Sequence, residues 1–467
     1  MNPRLPLINR PANDIVALGR DGPITASELA HRAAGLARRL PAHRYVVNLC
    51  ADPIEFMHGF CAAMAAGQCT LMPPNRLDAT IAEVRADYPD GYVMGGDGAD
   101  LDVGEALAGI PPAPDAPFDP IALDPEQLGT IAFTSGSTGK PQPNPKYWNT
   151  LRTGAIANAA MMLGPLDETV HLLTTVPPQH MWGLETSVLL PLFTRAAISR
   201  RTPFYPQDVA EALRRLPEPR VLVSTPVHLA AMVRSGLRFP GLKRVLCATA
   251  PLTAELARAV ETAFDTELLE VFGCTESGIL ASRPILRDET WTLADIFDLR
   301  VEDDHAVITG EHLPDSVTLQ DRIEQLASHR FRWRGRKQDL VIIGGKRGSL
   351  ADIGQRLLSV PGVEDAVVFF PPGDTDRPAA LVVATLLEQR GRTSGLPRPA
   401  ADEDATEALR EEEAAAVEPV TITFSAGDTI VEVGDRTLHW TGGPGRRCAG
   451  WPTGSSGHVA ASCSVDC

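Results

Sequence analysis

Between residues 25 and 95 short apolar runs alternate with amphipathic stretches at helical spacing. Thr25 or Ser27 can cap a helix running to 40, residues 45–49 alternate as a strand, and 52–66 carry a helical pattern. Residues 69–72 are a second strand, stopped by Pro73-Pro74. This is the rhythm of βαβ units. The same rhythm returns after an apolar strand at 128–133 and a helix at 148–163. Strands are expected at 171–176, 220–224, 244–248 and 268–272, with helices at 226–235 and 252–264. Short apolar strands between amphipathic helices predict an α/β fold of mainly parallel sheets covered on both faces, with ligands at the carboxyl ends of the strands.

The pattern changes near residue 336. Beyond it, strands at 340–343, 366–370 and 380–384 and a helix at 350–359 predict a small α+β domain. Residues 388–419 are rich in Ala, Glu, Arg and Pro, 420–441 alternate as a hairpin, and the Gly/Ser/Cys-rich 442–467 predict little order. The expected organisation is therefore a large domain over 1–335, the start of a small domain over 336–387, and an atypical tail over 388–467. The Pro-, Asp- and Ala-rich stretch 99–127 reads as a surface connection.

Charge narrows the partners. The net charge of −16 and pI near 5.2 argue against a nucleic-acid surface, and an anionic ligand would need local positive groups. Only five lysines occur, at 140, 146, 243, 337 and 346. Eight cysteines show no metal-binding spacing and read as small core residues in a reducing compartment. No apolar run approaches the roughly 18 residues of a membrane span, and no leader is visible. A cytoplasmic enzyme without a membrane anchor is expected.

Candidate chemistry concentrates at Phe133-Thr134-Ser135-Gly136-Ser137-Thr138-Gly139-Lys140-Pro141. Hydroxyls and backbone N–H groups can donate to phosphate oxygens, glycines permit close approach, and Lys140 supplies a point charge. A Walker loop is excluded, since only Ser137 and Thr138 separate Gly136 from the Gly-Lys pair and Pro141 follows. A dinucleotide fingerprint is excluded as well, because Gly95-Gly96-Asp97-Gly98 lacks the third glycine. The competing reading is a Ser/Gly linker, which a Lys-Pro stop tight against an apolar strand disfavours.

Thr134 to Pro141 resembles the phosphate loop of the adenylate-forming enzymes, the superfamily of acyl-CoA synthetases, aryl-acid ligases and peptide-synthetase adenylation domains. Val271-Phe272-Gly273-Cys274-Thr275-Glu276 is similar to that family's aromatic-Gly-x-Thr-Glu motif. Gly335-Arg336-Lys337-Gln338-Asp339 with Gly344-Gly345-Lys346-Arg347 is similar to its hinge and the opening of its small C-terminal domain. The resemblance covers roughly residues 10–385. Within the family, Val46-Val47-Asn48-Leu49-Cys50 and Leu71-Met72-Pro73-Pro74-Asn75-Arg76 look most like the stand-alone AMP-ligases of aryl-polyene and xanthomonadin-type pathways.

The resemblance implies ATP and Mg2+ as cofactors, a small aromatic or fatty carboxylic acid as substrate, and an acyl carrier protein or CoA as acceptor. Thr134, Ser135, Gly136, Ser137, Thr138, Gly139 and Lys140 would hold the β- and γ-phosphates. Glu276 would hold the metal, and Thr275 would contact the α-phosphate. Phe272, Gly273 and Cys274 would form one wall against adenine, with Thr249, Ala250 and Pro251 opposite. Arg336 would contact the ribose. Asp321 either bonds the ribose hydroxyls or is a plain surface carboxylate, since Leu319-Gln320-Asp321-Arg322 replaces the usual Thr-Gly-Asp context. His180 either stands at the mouth of the acyl pocket or is structural. For Glu276 the alternative is a solvated carboxylate at a helix start, and for Phe272 it is strand-end packing. Two departures stand out: Gln338 replaces a common acidic hinge residue, and no lysine follows Lys346 to match the family's late catalytic lysine. An ATP-dependent acid–thiol ligase is expected, with an impaired nucleotide-binding homologue as the alternative.

Overall fold

The computed structural model describes residues 3–96, 98–113, 117–135, 141–302 and 305–336, then Leu357 and the strands 340–343, 346–349, 363–369, 379–384, 420–425, 428–433, 436–441 and 460–466. These divide into two compact units, one of residues 1–319 and 323–333, the other of 320–322 and 334–467.

The first unit is built on two large sheets. One has the order 141–147, 128–135, 69–72, 45–48, 91–95, 101–102. Its strands run parallel except Pro141–Tyr147, which lies antiparallel to Leu128–Ser135 at the edge. Prolines at 141, 143 and 145 occupy alternate positions, so the N–H donors that face the neighbour must come from Gln142, Asn144 and Lys146. The second sheet has a parallel centre in the order Glu267–Cys274, Leu242–Cys247, Arg220–Ser224, Val170–Thr174, Ala196–Ser199, Ile15–Leu18. Antiparallel strands flank it, including Gly278–Arg283 beside 267–274 and Trp291–Leu293 beyond that.

The largest core fills the space between these sheets, with Val46, Met72 and Met94 from the first and Leu172, Ile198, Val223 and Leu246 from the second. Helices Ala26–Ala37, Pro53–Ala65 and Trp148–Leu163 lie in it. The Pro53–Ala65 helix is apolar nearly all round and buried from Pro53 to Met64 apart from Glu55, as a helix enclosed on all sides must be. Asp52 caps it by accepting from the Ile54 N–H at 2.9 Å, as Thr25 caps the first helix by accepting from Glu28 N–H. A second core, with Val209, Leu213, Leu229, Met232, Val260 and Phe264, joins helices Pro206–Arg215, Pro226–Arg234 and Ala254–Phe264 to the outer face of the second sheet. The α/β class with mainly parallel, helix-covered sheets is as expected.

Several expectations need correction. The stretch 99–127 is not all connection: Asp102 accepts from the Glu105 N–H and starts a helix, Val103–Ala108. Residues 141–147, for which no element was expected, form a strand antiparallel to 128–135. In the second unit, Ala460–Asp466 is a strand where composition predicts little order. It lies between Ala379–Ala384 and Val420–Ser425 in a six-stranded sheet with 363–369, 428–433 and 436–441. The helix expected at 350–359, apart from Leu357, and the stretch 388–419 lie outside the described residues, as does 442–459.

Candidate active site

The carboxyl ends of the second sheet's central strands carry Thr249 to Pro251 and Phe272 to Glu276 of the expected site. Cys247 pairs with Glu270 at the end of the parallel register, so the 249–251 loop leaves its strand beside the one that runs on through Phe272. Thr249, Ala250 and Pro251 are exposed there. Thr249 has φ of +88°, a left-handed conformation that a β-branched residue adopts only under constraint. The constraint is visible. Buried Glu270 accepts from the Leu252 N–H at 3.0 Å through Oε1 and from Arg283 Nε at 2.7 Å through Oε2. Arg283 lies 4.4 Å from the centroid of Trp291. Burial raises the Glu270 carboxyl, with Arg283 and the Leu252 N–H pulling the other way. This pair was not foreseen, and it ties the 249–252 loop to the strand bearing Phe272.

Phe272 is half-buried, its ring 5.4 Å from Trp291 and 5.9 Å from Phe331. It packs at the strand end as the alternative reading had it, and the same packing fixes the wall it could form. Gly273 has no room for a Cβ, which would overlap the Gly278 carbonyl oxygen. Cys274 and Thr275 are half-buried and Glu276 is exposed. Burial pushes the Cys274 thiol up to about 11, so it is neutral, and its Sγ lies 3.1 Å from Ser277 Oγ. Glu276 does not begin a helix: Thr275 to Ser277 form a turn into strand Gly278–Arg283.

Two residues beneath this turn were missed. Lys146, buried in the proline-rich strand, donates through Nζ to the Glu276 backbone carbonyl. Glu185, fully buried, accepts through Oε1 from the Ile279 N–H at 3.0 Å and from Asn158 Nδ2 at 3.2 Å. Burial lowers the Lys146 ammonium, opposed by Cys274, Glu185 and Glu276. Burial lifts the Glu185 carboxyl to about 7, opposed by Ile279 N–H, Lys146 and Asn158. Both line a small cleft with Thr150, Met181, Ser277 and Gly278. The available signal was that Glu185 is the single charge in the apolar run 181–193.

His180 lies on the loop entering the helical run Met181–Phe193, which contains a π turn at Glu185–Leu189, a distortion common at functional sites. Gln179 is buried and donates to the Cys50 carbonyl at 2.6 Å, and Arg76 donates to the Leu49 and Cys50 carbonyls at 2.8 and 3.2 Å. A Cβ at Gly183 would overlap the Pro177 carbonyl oxygen, so the Pro-Pro and Trp-Gly context closes a tight loop. The His180 residue is exposed, while partial desolvation of its ring, and secondarily Arg76, lower its pKa.

Thr134 is half-buried at the end of strand Leu128–Ser135, and Ser135 ends that strand. Gly136, Ser137, Thr138, Gly139 and Lys140 lie outside the described residues, as do Lys337, Gln338 and Asp339. Asp321 and Arg336 belong to the second unit. Asp321 is 6% exposed, which removes the surface-carboxylate reading. Among the described residues no cluster of His, Cys, Asp and Glu is arranged to hold a metal by itself, and no helix is long and apolar enough to cross a membrane. A lone exposed Glu276 suits Mg2+, which takes one or two carboxylates and draws its other ligands from phosphate and water.

Residues 80–305 match the model of the AMP-binding enzyme family, and residues 399–437 match a model described as 7TM-HD extracellular. The chain is 30% identical over 250 residues to a 4-coumarate–CoA ligase of Rhodobacter capsulatus, covering 53% of this chain and 62% of that one. A 4-coumarate–CoA ligase of Halorhodospira halophila is 30% identical over 249 residues, covering 51% and 59%. The chain thus spans less than two thirds of the length of these relatives. Among solved structures, ATP-bound MatB from Rhodopseudomonas palustris superposes with a TM-score of 0.65 at 18% identity, covering 79% of this chain and 84% of that one. The AMP complex of O-succinylbenzoate coenzyme A synthetase from Bacillus subtilis gives 0.66 at 16% identity, covering 85% and 89%. Residues 80–305 are thus similar to the AMP-binding enzyme family, and the chain shares the fold of these solved structures.

Proposed function

We propose that this chain uses ATP to adenylate a small carboxylic acid and passes the acyl group to a thiol. The observation that carries the reading is the juxtaposition, at the carboxyl ends of neighbouring parallel strands, of the strained Thr249 loop and the Phe272–Glu276 segment. ATP and the acid are both anions, so the chemistry needs donors and cations preorganised around the phosphates. In this reading Thr134, Ser135, Ser137, Thr138 and Lys140 hold the outer phosphates, Thr275 the α-phosphate, and Glu276 the Mg2+. Phe272 to Cys274 and Thr249 to Pro251 flank the base, Asp321 and Arg336 hold the ribose, and His180 faces the acid. The metal, when bound, neutralises phosphate charge.

The relatives are 4-coumarate–CoA ligases, so aromatic acids with CoA are the first candidates and a carrier protein the second, in a cytoplasmic setting. The aryl-polyene-type AMP-ligases remain the nearest subtype in look. The test is carboxylate-dependent exchange of labelled pyrophosphate into ATP across aromatic and fatty acids. Exchange with at least one acid is expected, and its abolition or a ten- to hundredfold loss in Lys140→Ala, about 1.5–3 kcal/mol for a charge-assisted contact. ATP binding without exchange by any acid would favour the second reading, an impaired nucleotide-binding homologue.

A further inference from the structure

Two buried charges hold the turn that presents Thr275 and Glu276, and neither belongs to the motif itself. Lys146 reaches it from the edge strand Pro141–Tyr147 and donates to the Glu276 carbonyl. Glu185 reaches it from the π turn and accepts from the Ile279 N–H at 3.0 Å. One anchor holds the middle residue of the turn and the other holds the strand just after it. Between them the backbone is packed without slack: Gly278 has φ of +77°, and a Cβ there would lie 2.8 Å from Glu185 Oε1. Burying an ammonium and a carboxylate is costly, and a hydrophobic pair of similar volume is often as stable or more so. Two buried charged groups, each spent on a backbone atom of this segment, therefore ask for a reason beyond stability.

We propose that Lys146 and Glu185 are a pair of positioning residues that fix the Cys274–Ile279 turn, so that Thr275 and Glu276 meet the nucleotide and its cation in one preset geometry. The proposal rests on the reading of Glu276 as the metal-holding carboxylate. Lys146 does not touch substrate in this role; it sets the backbone from which Glu276 projects. Glu185 holds the strand just after the turn, lines the same cleft as Lys146 and opposes the burial of its ammonium electrostatically, with Asn158 as its further partner. Cys274 and Glu276 are the other titratable groups acting on Lys146.

The experiment measures binding, as the Mg2+ concentration that gives half of the ATP-induced rise in Tm. Parent protein is compared with Lys146→Met, Lys146→Arg, Glu185→Gln and Glu276→Gln. Lys146→Met should raise that concentration about tenfold, while Lys146→Arg, which keeps a donor, recovers part of the loss. Glu185→Gln should weaken the pH dependence of the same midpoint around neutrality, where the carboxyl titrates at about 7. An unchanged midpoint in Lys146→Met alongside a shifted one in Glu276→Gln overturns the positioning role and leaves the metal reading standing. An unchanged midpoint in both removes the metal reading itself. If Lys146→Met does not fold, Lys146→Met/Glu185→Leu removes both charges and is measured in its place. A double variant that folds with parental Mg2+ dependence, or that does not fold, reduces the pair to scaffolding and overturns the proposal.

Discussion

The Nζ of Lys146 donates to the backbone carbonyl of Glu276, 130 residues further along the chain. The bond holds the main chain of the turn and leaves the Glu276 side chain exposed. Folding and metal holding are therefore separable at this residue. Glu276→Gln should leave the ligand-free Tm within about 1 °C, a surface change of under about 0.5 kcal/mol. The Mg2+ needed for half-maximal pyrophosphate exchange should rise about tenfold or more. Parental activity at low Mg2+ in the variant would show the carboxylate to be an ordinary surface group.

Thr249 is held at a positive φ that a glycine adopts without cost. Relief of that strain in Thr249→Gly should stabilise the protein by about 1 kcal/mol, offset in part by the added freedom of the unfolded chain. The same freedom loosens the 249–251 loop, so KM for ATP should rise. A variant with lower Tm and unchanged KM would show that the conformation is not strained and the loop not used.

Gly183 admits no side chain, because a Cβ would overlap the Pro177 carbonyl oxygen. Gly183→Ala must open the loop that carries Gln179 and His180. Unfolding in urea should show a loss of more than about 2 kcal/mol, in the range of backbone strain and core overpacking. A loss below about 0.5 kcal/mol would mean that the loop relaxes freely and does not position His180.

Glu185 and His58 oppose each other in the pH dependence of stability. Glu185 has its folded pKa raised by burial to about 7 from 4.5, so the folded state binds more protons than the unfolded one between those values, and stability falls as pH rises through that window. His58 is buried with its pKa lowered by burial to about 4 from 6.5, so the unfolded state binds more protons there and stability falls as pH drops. Glu185→Gln removes the first effect alone. The stability of the variant relative to the parent should grow by up to about 3 kcal/mol between pH 4.5 and 7. Urea midpoints at pH 5 and 7.5 read this directly, and an equal difference at both would show that Glu185 does not titrate in that window.

Much of the scaffold could be read from periodicity because the central strands are buried on both faces and several helices between them, such as Pro53–Ala65 and Ala254–Phe264, begin at a side-chain cap. Cys69–Met72, Trp148–Leu163 and Arg220–Ser224 are cases where local pattern and tertiary burial agree. Pattern failed where an edge or a partner decides. Strand Pro141–Tyr147 carries three prolines that read as breakers, and only an edge position makes them compatible with a strand. The Thr275-Glu276 motif could be found by spacing, but its supports could not: Lys146 and Glu185 lie 130 and 94 residues from the turn atoms they bind. Glu270 looks like an ordinary strand residue until its partners Leu252 and Arg283 are brought to it by the fold.

The proline-rich edge has a consequence for how copies of this protein can meet. A bare strand at the rim of a parallel sheet is a template on which another chain can grow, during slow folding above all. With Pro141, Pro143 and Pro145 on the outward side, that rim offers acceptors and no matching donors, so a second strand cannot zip onto it. Self-association of the first unit by extending this sheet is closed off at that margin, and strand Pro141–Tyr147 keeps one flank out of any continuous ladder.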